Sequence, residues 1–281
     1  MTRLSAPELL DYRTTLATPA STVTGDLRVL RGLGRDVLIW LPPSALTSGR
    51  RYRVLYLFDG QNVFDAATSN SGEWGVDETL TELAAEGLEL IAVAVPNAGV
   101  GRFYEYTPYR GPGGVWDIGG GGRDLLRWMA DVVKPAVDAL LSTDASREAT
   151  GIAGSSLGGL MTALAAAEFG DVFGRFGIFS PAIPGGQAFF LRGLRSARPM
   201  PLRAYVDIGL LESAEVASDP ARSRWKRTYP RDAFRVRDAL VSAGLREPDT
   251  LRLVLDPDGI HHESSWRRRF PDAVRFLFDV R

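Results

Sequence analysis

The sequence contains no cysteine. That single absence excludes disulfides, a thiolate nucleophile and cysteine-ligated zinc. Histidine is nearly absent as well, because the two present, His261 and His262, are adjacent. A histidine-rich metal site and an HExxH motif are therefore ruled out, and any catalytic imidazole must come from this one dipeptide. An excess of one charge is also missing: 33 Lys and Arg face 34 Asp and Glu, for a net charge of -1. Such a balance gives no general attraction to nucleic acid or to an anionic membrane. No apolar run is long enough to span a bilayer, and the opening MTRLSAPELLDYRTT lacks an apolar signal-like core. The expectation is a cytoplasmic chain with no nucleic-acid or membrane partner. The oligomeric state is left open.

What is present fits one large α/β domain over 1–281. The chain has 281 residues, 45 % hydrophobic and 24 % charged, enough apolar surface for a substantial core. After a polar extension over 1–20, apolar runs bounded by turn residues predict strands at Thr22–Leu30, Asp36–Leu41, Arg53–Phe58, Leu88–Val95, Ala149–Ala153, Phe173–Phe179, Leu202–Ile208 and Thr250–Leu255. Helical patterns fall at Val76–Ala85, Arg123–Leu141, Ser156–Phe169, Arg231–Ala243 and Ser264–Val280. In the second of these, Leu125, Leu126, Met129, Val132 and Val133 mark one buried face, and Pro135 should kink or break the helix. Arg31–Arg35 is short enough for a hairpin between the first two strands. Later strands alternate with helices. The fold class expected is a doubly wound, mostly parallel sheet of about eight strands, with helices on both faces and function at the loops beyond the strands' C-terminal ends.

The chemistry is concentrated in a few places. Gly154-Ser155-Ser156-Leu157-Gly158 matches GxSxG between an apolar strand and an Ala/Leu-rich helix. That context belongs to a nucleophile held on a strained strand-to-helix turn, above a helix N-terminus that favours a developing oxyanion. Ser156 is the candidate nucleophile, and Ser155 occupies the variable position. The histidines follow the last predicted strand and precede the last helix, so the order Ser…acid…His is that of an α/β-hydrolase. Asp207, Glu212 and Glu215 are the candidate acids. Asp207 lies inside an apolar strand, whereas Glu212 follows Gly209 in a loop and is the favoured one. The N–H of Leu157 and one from the Asp59-Gly60-Gln61-Asn62 turn are the candidate oxyanion donors, although an ordinary Asp-Gly turn reads the same way.

Beside these, Trp74, Tyr104, Tyr106, Tyr109, Trp116 and Trp266 lie in or next to predicted cleft loops, where they could stack on a sugar or aryl acid or simply anchor the loops. Arg102 could meet an anionic substrate group or form a surface ion pair. Trp116 sits in a glycine-rich stretch, 111–122, which reads as a mobile loop or a substrate-side loop and fits no phosphate-cradling pattern.

From about Arg35 to the C-terminus the chain resembles the Esterase D-like esterases of the α/β-hydrolase fold. That family takes in acetylxylan, feruloyl and enterochelin-type esterases, S-formylglutathione hydrolases and mycolyltransferases. The resemblance rests on Val54-Leu-Tyr-Leu-Phe-Asp-Gly-Gln-Asn-Val-Phe-Asp65, Trp74 with Val76-Asp-Glu-Thr-Leu80, and Val95-Pro-Asn97 followed by Arg102 and Glu105-Tyr-Thr-Pro108. It continues through Gly151–Leu160, Phe179-Ser-Pro181, Val206-Asp-Ile-Gly209 with Glu212, and His261-His-Glu-Ser-Ser-Trp266. The resemblance implies His261 as the base, through the family's HxExxW pattern, with Glu212 as the acid and Gln61 as an oxyanion donor. It implies serine carboxylic-ester hydrolysis of a small-molecule ester through an acyl-enzyme, without metal or cofactor, on acylated carbohydrate, aryl or siderophore-like esters. Trp74, Arg102, Tyr104, Trp116 and Trp266 are the candidate substrate contacts. The alternatives are acyl transfer by the same triad, or a non-catalytic binding protein on a hydrolase scaffold.

Overall fold

The computed structural model describes residues 6–15, 22–110, 119–184, 187–212 and 229–278. One nine-stranded sheet runs through them in the order β1-β2-β3-β5-β4-β6-β7-β8-β9. Its strands are β1 (Glu8–Asp11), β2 (Asp26–Arg31), β3 (Val37–Leu41), β4 (Arg53–Leu57), β5 (Leu90–Ala94), β6 (Thr150–Ser155), β7 (Arg175–Phe179), β8 (Arg203–Gly209) and β9 (Leu251–Asp256). The first three and the β3–β5 pair are antiparallel, and every pair from β5 through β9 is parallel. The expected hairpin forms between β2 and β3, with Leu30 opposite Val37. One strand exceeds the expected eight: the polar extension contributes β1, whose Glu8–Asp11 pairs with Arg31–Arg28 of β2.

Alternation along the strands builds two cores. In β4, Val54 and Tyr56 face one side while Leu55 and Leu57 face the other; in β5, Ile91 and Val93 oppose Ala92 and Ala94. Fully burying one such Val, Leu or Ile contributes about 1.5–3 kcal/mol, so each run commits its strand to the sheet interior. The face carrying Val54 and Tyr56 is covered by α4 (Gly122–Trp128), α5 (Lys134–Leu140), α6 (Leu157–Glu168), α7 (Phe190–Leu194) and α8 (Tyr229–Ala243). The opposite face is covered by α2 (Val76–Ala85) and α9 (Glu263–Phe278). Two one-turn helices are also described, α1 (Tyr12–Thr15) and α3 (Arg102–Glu105). No described helix is long and apolar enough to cross a membrane.

Pro135 acts differently from a simple kink. Without an N–H it cannot bond the carbonyl one turn back. The chain widens into a π-turn at Met129–Val133 just before it, and Pro135 then falls in the first turn of α5, where its missing donor costs nothing.

Strand order reverses at β4, which pairs with β5 on one side and with β6 on the other. A crevice opens at such a switch point, beyond the strands' C-terminal ends. The turns after β4 and β6 meet there, and the loops after β8 and β9 approach from the same end.

Candidate active site

The turn between β6 and α6 is the tightest feature of the crevice. Ser156 stands at its apex with φ 59 and ψ -121, a region L-residues rarely occupy, and serves as the N-cap residue of α6. Three backbone bonds hold it there. Ser156 N–H donates to Phe179 O at 3.0 Å, while Ala182 N–H and Leu160 N–H donate to Ser156 O at 3.0 and 3.1 Å. A side chain at position 154 would not fit, since a Cβ on Gly154 would lie 2.8 Å from the Gly158 carbonyl group. The small residues of GxSxG are thus a packing requirement of the turn.

His261 follows β9 and reaches Ser156. Its Nε2 lies 2.8 Å from Ser156 Oγ, and its Nδ1 lies 2.7 Å from Glu212 Oε2. Glu212, in the loop after β8, is almost fully buried, and its other oxygen accepts from Ser180 Oγ at 2.6 Å and Gly209 N–H at 2.8 Å. The imidazole is set by the Trp266 ring, which meets it edge-on with centroids 5.2 Å apart. Ser156, His261 and Glu212, far apart in sequence, are therefore in one hydrogen-bonded line. His262 lines the same crevice but stands outside this line: it is exposed, and its Nδ1 pairs with Ser264 Oγ at 3.0 Å.

Of the other two candidate acids, Asp207 sits within β8 and is taken by Arg269. Arg269 Nε is 2.8 Å from Asp207 Oδ2 and Nη2 is 3.2 Å from Oδ1. Burial pushes the Asp207 carboxyl up to about 7, with Arg269 pulling against it. Glu215 lies outside the described residues.

Across the crevice, Gly60–Asn62 forms a single 3₁₀ turn after β4. A Cβ on Gly60 would come 2.7 Å from Pro96 N, so glycine alone lets this turn lie against the end of β5. The Gln61 side chain accepts Asn97 N–H through Oε1 at 3.1 Å. The N–H groups of Gln61 and Leu157 both stand in the first turn of a helix, where no intrahelical acceptor exists.

The crevice has a volume of about 370 Å³ and a lining that is polar and apolar in equal measure. Gln61, Asn62, Asn70, Ser71 and Asn97 line it beside the Ser156–His261 pair. The expected substrate contacts divide. Trp266 and Arg102 line it, but Trp266 donates its Nε1–H to Ser180 Oγ at 2.9 Å and Arg102 is bound by Asp59. Trp74 does not reach it: the ring is buried among Phe179, Trp266 and Phe270, because the loop before α2 folds inward to fill the core. Tyr104 faces a separate hollow beside Arg35 and Trp128. Tyr106 is buried with its hydroxyl accepting Asp59 N–H at 2.9 Å, and Tyr109 packs under Arg123. Trp116 lies outside the described residues.

Ser180, Arg269, Asp59 and Asn97 were not singled out by the sequence. Their roles are tertiary, although Asp59, Asn97 and Ser180 fall inside motif stretches. Among the described residues one group of carboxylates, Glu73, Asp77 and Glu78, lies within 4.8 Å and could hold a cation. Arg267 already supplies positive charge there, 3.4 Å from Glu78 and 3.8 Å from Glu73.

The fold and this arrangement define an esterase of α/β-hydrolase architecture. The chain belongs to the family described as "Putative esterase", whose model matches residues 32–277. It is 25 % identical over 257 residues to an uncharacterized Bacillus subtilis (strain 168) protein, YbbA, covering 90 % of this chain and 96 % of that one. Among solved structures it is similar to the siderophore hydrolase EstA of Aspergillus nidulans, with 21 % identity, TM-score 0.65, and 92 % and 93 % of the two chains covered. It is also similar to AmCE1/Fae1A, a ferulic acid esterase of Anaeromyces mucronatus, with 17 % identity, TM-score 0.60, and 99 % and 93 % covered. At these identities the structural likeness concerns the fold.

Proposed function

We propose that this chain is a serine carboxylic-ester hydrolase acting through Ser156, His261 and Glu212. The observation that carries the reading is the unbroken line from Ser156 Oγ through His261 to Glu212, at 2.8 and 2.7 Å, with the serine on a strained turn. His261 Nε2 takes the Ser156 proton as Oγ attacks the ester carbonyl. The oxyanion that forms is met by the N–H groups of Gln61 and Leu157. His261 then gives its proton to the leaving alcohol, and afterwards takes one from the water that cleaves the acyl-enzyme. Glu212 fixes the Nδ1–H tautomer and stabilises the imidazolium.

The substrate class we propose is a small acylated carbohydrate, aryl or siderophore-like ester. The amide and hydroxyl groups of Gln61, Asn62, Asn70, Ser71 and Asn97 beside the Ser156–His261 pair support a substrate that carries polar groups. The fold likeness to a siderophore hydrolase and a ferulic acid esterase is consistent with it.

The test is kcat/KM over a panel of acetyl to octanoyl nitrophenyl esters, acetylated xylose, methyl ferulate and a catecholate trilactone. Ser156→Ala should lower turnover by at least about 10³-fold with the fold intact. His261→Ala should be comparably damaging and His262→Ala mild. Turnover that survives in Ser156→Ala would overturn the assignment, and product formation only with an added alcohol would indicate acyl transfer instead.

A further inference from the structure

Behind Glu212 lies a polar cluster that the proton relay itself does not use. Ser180 follows β7, is fully buried, and holds φ 42. Its Oγ accepts from Trp266 Nε1 at 2.9 Å and from Arg269 Nη2 at 3.1 Å. A hydroxyl has two acceptor lone pairs and one proton. With both lone pairs engaged, the Ser180 proton is aimed at its remaining neighbour, Glu212 Oε1 at 2.6 Å. Gly209 N–H fills a second place on that oxygen. Oε1 is thereby occupied by donors and Oε2 is the oxygen left for His261.

The two donors to Ser180 come from one helix face. Trp266 and Arg269 are three residues apart on α9, and Trp266 also packs its ring against His261. Arg269 cannot swing away, since Asp207 holds it by two oxygens and Asp256 Oδ2 holds Nη1 at 3.0 Å. Its Nη2 lies 3.9 Å from Glu212 Oε1. Among the described residues, the charged and titratable groups around Glu212 are His261 on one side and Arg269 on the other, with Asp207, Asp256 and Tyr205 beyond Arg269. A carboxylate withdrawn from water keeps its charge only when donors and a cation face it. Ser180 and Arg269 supply both.

We propose that Ser180, oriented by Trp266 and Arg269, is a positioning residue for the acid. It holds Glu212 turned so that Oε2 faces His261 Nδ1, and it acts through Glu212 without touching substrate. The inference rests on the roles proposed above for Ser156, His261 and Glu212.

The sign of its effect follows from coupling. The Glu212–His261 pair takes up one proton on the acid side of the activity profile. A donor that stabilises the anionic pair opposes that uptake, so removing it moves the acid limb of kcat/KM to higher pH. A hydrogen bond to a charged group corresponds to a shift of about one pH unit. Ser180→Ala should therefore raise the acid limb by about 0.5–1 unit and lower kcat by about tenfold. KM should change less than about twofold. The downfield proton resonance of His261 Nδ1–H should move or vanish in the same variant. Ser180→Cys, which keeps the volume and a weak donor, should fall between, and it carries the test if the alanine variant does not fold.

A residue with only a packing role would lower the melting temperature and leave the acid limb and the downfield proton in place; that result overturns the proposal. The proton resonance needs no substrate. If the wild-type protein shows no Ser156-dependent turnover, the functional reading fails while the resonance still decides whether Ser180 sets the Glu212–His261 bond.

Discussion

Arg102 holds both oxygens of Asp59, with Nε 2.6 Å from Oδ1 and Nη2 2.8 Å from Oδ2. Asn97 Nδ2 adds a third bond to Oδ1 at 2.6 Å, and the guanidinium lies 4.8 Å above the Tyr106 ring whose hydroxyl takes Asp59 N–H. Asp59 needs this support because its φ of 55 is a left-handed conformation, costing a non-glycine residue about 1–2 kcal/mol. It directly precedes Gly60 and Gln61, so the pair fixes the turn that presents the Gln61 N–H.

Arg102 should consequently act on turnover through the oxyanion turn. Losing one oxyanion donor costs about 10²–10³ in kcat, and partial loosening should cost less. Arg102→Ala is expected to lower kcat about 10- to 100-fold with little change in KM, on neutral and anionic esters alike. Arg102→Lys should not restore it, because an ammonium cannot reproduce the two-pronged contact. The check is kcat and KM on matched neutral and anionic esters; a rise in KM confined to the anionic ones would return Arg102 to a substrate-binding role.

Glu212 and Asp207 lie on the same strand–loop segment yet should respond in opposite ways. Glu212→Gln keeps the shape but favours the wrong imidazole tautomer, and kcat should fall about 10³- to 10⁴-fold with the melting temperature nearly kept. Asp207→Asn strips the buried Arg269 of a bidentate partner, leaving Asp256 and Ser180. Breaking a buried ion pair costs about 3–5 kcal/mol, so its main effect should be on stability. Denaturant midpoints read beside kcat separate the two, and a severe kcat loss in a stable Asp207→Asn would make it the acid.

The parts of the site visible in the sequence are those written in local pattern. Ser156 is marked by small neighbours that the turn requires, and the His261-His262 pair by its place between the last strand and last helix; the choice of His261 within the pair comes from the family's HxExxW pattern, not from spacing. Glu212 was harder, since three acids follow or lie within one strand and only the tertiary arrangement commits Asp207 to Arg269. The aromatic residues of the loops read equally as cleft contacts or as loop anchors, for a related reason. A tryptophan in a loop looks like a cleft wall, but Trp74 is drawn inward by Phe179 and Phe270, whose elements are distant in sequence. The strand β1 was missed because Glu-Leu-Leu-Asp is too short to show alternation, and its backbone pairing with β2 does not depend on a buried pattern. Ser180 lies in the Phe179-Ser-Pro181 stretch, but nothing local marks its contact with Glu212, and Arg269 carries no local signature.

Asp77 provides a prediction remote from the crevice. It is fully buried in the first turn of α2, its Oδ2 accepts Thr24 N–H at 2.6 Å, and among the described residues its Oδ1 has no hydrogen-bond partner. A helix N-terminus favours a carboxylate by about 0.3–1 kcal/mol, but burial outweighs this here. Burial, reinforced by the neighbouring Glu78, pushes the Asp77 carboxyl from an ordinary value of 3.8 up to about 8. Between those two values the folded chain retains a proton that the unfolded chain has released. Stability from this site is therefore fully present below the unfolded pKa and is lost as pH rises through the folded one. Asparagine keeps an acceptor for Thr24 N–H and has no proton to lose. Asp77→Asn should match the wild type near pH 4 and exceed it by a margin that grows by at most about 1.4 kcal/mol per pH unit up to about pH 8. Denaturant unfolding of both proteins across that range tests this, and parallel stability curves would mean that Asp77 is ionised in the folded protein.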